Sequence, residues 1–80
     1  MKYSPSQMLL HAYLTEDGVQ LSALVDRFYG SRKPQNAHKS VGALLRGLQS
    51  RAVQYGDNFR VHTTGRRGRV EAFWRVELRR

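Results

Sequence analysis

The chain has no cysteine, so neither disulfides nor a thiolate metal site can staple it. It has no apolar run approaching the roughly 18–20 residues of a membrane span. Its first residues, Met1-Lys2-Tyr3-Ser4-Pro5, lack the apolar core of a signal peptide. These absences lead us to expect a cytoplasmic protein with no membrane partner. Residues His11, His38 and His62 are the three histidines, and they fall on separate segments with no ligand spacing. No phosphate-binding loop and no Ser/His/Asp arrangement can be assembled either. The expectation is therefore a protein that is not an enzyme and needs no metal or cofactor.

Acid is also scarce, with 6 Asp and Glu against 14 Lys and Arg. The imbalance is not spread evenly. Residues 1–30 set Lys2 and Arg27 against Glu16, Asp17 and Asp26, whereas residues 31–80 hold every other cation against Asp57, Glu71 and Glu77. Three cations crowd into Thr64-Gly65-Arg66-Arg67-Gly68-Arg69. A near-neutral half joined to a basic half suggests a scaffold presenting a polyanion-binding surface. At 80 residues, 40% hydrophobic and 10% aromatic, the chain reads as a single folded domain spanning 1–80 rather than a disordered basic tail.

Ser4-Pro5-Ser6-Gln7 starts a helix over about 5–15: Ser4 caps, Pro5 suits the first turn and Gln7 closes a capping box. Apolar residues from Leu9 to Leu14 cover more than half of its circumference, which predicts neighbours on several sides. Val19-Gln20-Leu21 is a short extended piece. Ser22 is then the expected cap of a second helix over 22–29, striped by Leu24, Val25 and Phe28 and stopped by Gly30. A third helix over 37–51, entered through Pro34 or capped by Asn36, buries Val41, Leu44, Leu45 and Leu48. Its outer arc holds Lys39, Ala43, Arg46 and Ser50. From Phe59 the hydrophobic period changes to two, giving an amphipathic hairpin over 59–78. Trp74 and Phe59 fall on its apolar face as core anchors, whereas Phe73 falls on the polar face. His11 is expected at the surface of the first helix.

Helix, short strand, helix, helix and hairpin is an order that resembles the winged helix-turn-helix superfamily from about residue 4 to 78. The matching segments are Val19-Gln20-Leu21, the candidate recognition helix around Ser40-Val41-Gly42-Ala43-Leu44-Leu45-Arg46-Gly47-Leu48, and the hairpin as wing. The connection before the third helix, about six residues, exceeds the three or four of a tight helix-turn-helix. The resemblance implies an α+β fold, a three-helix winged helix-turn-helix with a C-terminal two- to three-stranded β-hairpin wing. It implies a small bacterial or phage transcriptional regulator that binds double-stranded DNA. The third helix would enter the major groove and the wing would touch the minor groove or backbone.

On that reading Arg66, Arg67 and Arg69 contact phosphate or a narrow minor groove, where guanidinium groups bind well. Arg32 and Lys33 meet phosphate at the helix entrance. Arg46 suits guanine, Ala43 a thymine methyl, Gln35 or Asn36 adenine or phosphate, and Lys39 the groove. Arg60, His62 and Arg75, on the polar face of the hairpin, could extend this patch. Phe73 leaves open a homodimer through the wing or a helix-one face. Two alternatives stand beside DNA: an adaptor whose basic half docks on an acidic protein partner, and a structured-RNA binder using the same arginines.

Overall fold

In the computed structural model, which describes residues 3–64 and 72–79, the order is α1 (Pro5–Tyr13), β1 (Val19–Gln20), α2 (Leu21–Tyr29), α3 (Ala37–Gln54), β2 (Phe59–Thr64) and β3 (Phe73–Leu78). The three strands form one antiparallel sheet in the order β1-β3-β2. The fold is α+β, three helices with a small sheet whose C-terminal hairpin is β2-β3, an arrangement consistent with winged-helix topology. Val61 stands opposite Val76 in the hairpin, and Val19 opposite Trp74 across β1-β3.

Local chemistry explains the helix starts. Ser4 accepts from the Gln7 backbone N–H, and the Gln7 side chain accepts from the Ser4 N–H, closing the expected capping box with Pro5 in the first turn. Gly30, at φ 64°, stops α2 as expected. Other boundaries differ from the sequence reading. The first helix ends at Tyr13 rather than 15, because Leu14 is extended and Thr15 instead accepts a strand-type bond from the Val76 N–H at 3.1 Å. Ser22 is not the cap of α2. The helix begins at Leu21, whose N–H donates to Ala72 O at 2.7 Å, so strand pairing passes directly into helix. Helix α3 runs past 51 to Gln54, since Ala52 stays in the buried stripe and nothing breaks the helix before Gly56.

The core lies between the helices and one sheet face. Leu10, Leu24, Val25, Val41, Leu45, Leu48 and Val61 are its largest fully buried side chains, closed by Trp74, Val76 and Phe59. Burying each of the leucines contributes about 1.5–3 kcal/mol. Trp74 and Phe59 are thus core anchors, as their alternation implied.

Helix α1 departs most from expectation. Only Gln7 and Leu10 are buried in it, and the apolar Met8, Leu9 and Ala12 face solvent, so neighbours do not surround it. Beside Leu10 in the core, its contact with α3 includes a polar group. The Gln7 carboxamide accepts from Arg51 Nη1 at 3.0 Å and donates to Leu44 O at 3.4 Å. A Cβ on Gly47 would stand 2.6 Å from Gln7 Nε2, so the space a side chain would need there is taken by the crossing of α1.

Candidate nucleic-acid interface

Helix α3 carries no aspartate or glutamate over its 18 residues. Its exposed arc is Lys39, Ala43, Arg46 and Ser50, as the periodicity predicted. At 100° per residue these four lie within about 60° of each other round the axis. The α1-facing positions Leu44, Gly47 and Arg51 lie about 100° away from that arc. Packing therefore fixes α3 from the core side and from one flank while the arc stays open. Gly42, although buried, has no atom within 4 Å of where a Cβ would stand. Packing therefore does not explain it.

At the helix entrance Arg32, Lys33, Gln35 and Asn36 are all exposed. Asn36 occupies the N-cap position with its backbone only; its side chain makes no capping bond. Lys33 pairs with Asp26 of α2, both side chains substantially exposed. Arg32, Lys39 and Arg46 have no ion pair among the described residues. Arg66, Arg67 and Arg69 lie outside the described residues.

Other cations are held by the fold. Arg60 does not extend the basic patch outward. Its Nη1 donates to Asp57 O at 2.7 Å, Phe59 O at 2.8 Å and Ala52 O at 3.3 Å, turning the guanidinium onto the α3–β2 turn and the last turn of α3. A cation is favoured there by the helix dipole. His62 Nε2 lies 3.1 Å from Glu77 Oε1 on the outer sheet face. The hydrogen bond with His62, and then the charges of His62, Arg75 and Arg79, hold the Glu77 carboxyl below its ordinary range. Arg75 is half-buried on the same face, beside the exposed Phe73.

His11 is not a surface residue. It is half-buried, its ring centroid lies 4.4 Å from that of Phe59, and its Nε2 is buried with no hydrogen-bond partner among the described residues. Nearby, Tyr3 donates to the Asp57 carboxylate. Burial first, and then that hydrogen bond and charge, push the Tyr3 hydroxyl up to about 12. Neither feature was visible in the sequence, because both depend on the N-terminal segment folding back against the α3–β2 turn. No group of three or more His, Asp and Glu positioned to hold a metal occurs among the described residues. No helix among them is long and apolar enough to cross a membrane.

Among the described cations, Arg27, Arg51, Arg60 and Lys33 make contacts within the fold, whereas Arg32 is exposed ahead of α3 and Lys39 and Arg46 lie on its exposed arc. No family model matches the chain, and neither curated proteins nor solved structures give a match.

Proposed function

We propose that this protein binds double-stranded DNA as a winged-helix protein, with α3 in the major groove and the arginine-tipped hairpin on the backbone or minor groove. The observation that carries the reading is the acid-free α3, whose open arc pairs two cations, Lys39 and Arg46, with small side chains between them. Lys39 and Arg46 are separated by about 10 Å along the axis, about three base-pair steps of duplex. Ala43 between them leaves room for close approach to base edges. Arg32 and Lys33 flank the helix entrance, and with Arg66, Arg67 and Arg69, which follow β2 in the sequence, serve as phosphate ligands. A transcriptional regulator is the role this chemistry fits best.

Fluorescence anisotropy on random duplex across a salt series tests the reading. Neutralising five to seven phosphates gives a log–log salt slope of about −4 to −6. Arg66→Glu/Arg67→Glu should weaken all duplexes alike, and Arg46→Ala should cost about 1–3 kcal/mol on a selected site with less effect on random duplex. Binding without salt dependence, or tight binding to an acidic protein with only feeble duplex affinity, would contradict it.

A further inference from the structure

Among the described residues, Gly42 is the one glycine that neither backbone conformation nor packing accounts for. Gly18, Gly30 and Gly56 have positive φ, and a Cβ on Gly47 would meet Gln7. Gly42 sits inside α3 with no such φ, where glycine is the least favourable residue after proline. Yet no heavy atom of the described residues stands within 4 Å of where its Cβ would be, so an alanine would fit. The side chains one turn away in either direction, His38 and Arg46, therefore do not close over it. Residues 38, 42 and 46 form an i, i+4, i+8 ridge, and the missing middle side chain leaves a notch in it. The walls of the notch are about 12 Å apart along the axis.

The notch has a defined direction. Gln49, about 20° round the axis from Gly42, donates from its Nε2 to Val61 O of β2 at 2.9 Å. Gly42 thus lies on the flank of α3 that meets the hairpin, about 140° from Gly47 on the α1 side. Arg46 and Lys39 stand about 40° and 60° away, towards the open arc. The major and minor grooves of a duplex are divided by a sugar–phosphate strand. A helix in the major groove and a hairpin on the minor-groove side therefore hold that strand between them, against this flank.

We propose that Gly42 seats the sugar–phosphate strand of duplex DNA and so sets how deeply α3 enters the groove; the proposal rests on the DNA-binding reading. Charge favours this occupant. Helix α3 is free of acid, and Lys39 and Arg46 beside the seat are exposed and without an ion pair among the described residues. A deoxyribose against the bare Cα brings its phosphates within reach of both cations, whereas a methyl group there holds the strand off. The N–H and C=O of Gly42 are engaged within the helix, so the seat offers close contact and reads no sequence.

The test compares wild type with Gly42→Ala by anisotropy on three short duplexes of unrelated sequence, with the urea midpoint of each protein measured alongside. Alanine is expected to raise the midpoint, because it fits the space and favours helix. It is expected to weaken binding by about tenfold, as one overpacked contact does. The loss should be equal on all three duplexes, since the strand carries no sequence information. A protein that is more stable and binds less well separates the seat from damage to the fold. Unchanged affinity of Gly42→Ala, beside a wild type with the expected salt slope, overturns the seat alone. So does a loss confined to one duplex, which would put a base edge at Gly42, or a midpoint that does not rise, which would show the space to be filled. A wild type without salt-dependent duplex binding removes the DNA reading and the seat together.

Discussion

Replacing Gly47 by alanine sets two opposed effects against each other. In a helix interior the exchange gains up to about 1 kcal/mol, because glycine gives up more chain entropy on folding. Against this, the new methyl would lie 2.6 Å from the Nε2 of Gln7, so the carboxamide must move. That group is buried and accepts from the Ser4 N–H at 3.1 Å and from Arg51 Nη1 at 3.0 Å. A neutral hydrogen bond contributes about 0.5–1.5 kcal/mol and one to a charged group about 1.5–3 kcal/mol. Losing the better part of both outweighs the propensity gain and leaves a net destabilisation of about 1–2 kcal/mol. Urea unfolding followed by far-UV circular dichroism and by Trp74 fluorescence measures it, since Trp74 is buried in the core. In a Gln7→Ala background the clash is gone, and Gly47→Ala should then stabilise by up to about 1 kcal/mol. If Gly47→Ala stabilises the wild-type chain by that amount, the carboxamide yields freely and the account of the α1–α3 crossing is refuted.

Three further outcomes are expected. Arg60→Ala removes the donor shared by the Ala52, Asp57 and Phe59 carbonyls and should cost about 1–2 kcal/mol in urea melts, with duplex affinity nearly unchanged; a large affinity loss would return Arg60 to the DNA surface. Asp26→Asn releases Lys33 and should raise duplex affinity about twofold at low salt, with under about 1 kcal/mol change in stability, as for exposed pairs generally; unchanged affinity would remove Lys33 from the interface. Folding raises the Tyr3 pKa from 10.0 to about 12, so the folded state favours the neutral phenol. That stabilisation is complete below pH 10 and fades as pH rises towards 12, so the stability difference between wild type and Tyr3→Phe should narrow over that interval; a constant difference would contradict it.

What could be read from the sequence was what repeats along it. The stripe of Val41, Leu45 and Leu48 and the alternation through Phe59, Val61, Trp74 and Val76 each count contacts made many times by one element, and all seven are buried. The exposed arc of Lys39, Ala43, Arg46 and Ser50 follows from the same helical period. Features set by a single long-range contact could not be read this way. Arg60 alternates with apolar residues like any outward-facing strand cation, yet its guanidinium reaches back to Ala52 O. His11 belongs by sequence to a polar position of α1, and only the arrival of Phe59 beside it buries its ring nitrogen. Apolar coverage of α1 predicted neighbours on several sides; α3, α2 and Phe59 supply them along one half of the helix, while Met8, Leu9 and Ala12 on the other half stay exposed.

The most direct test of the DNA reading is an amide-resolved NMR titration of the isotope-labelled protein with short duplex. The account predicts shifts concentrated at Arg32–Asn36, at Lys39, Ala43 and Arg46, and at Arg66, Arg67 and Arg69, with Gln7 and Leu10 of α1 left in place. Shifts confined to α1 and the outer sheet face, or none at duplex concentrations well above those of non-specific binding, would contradict it.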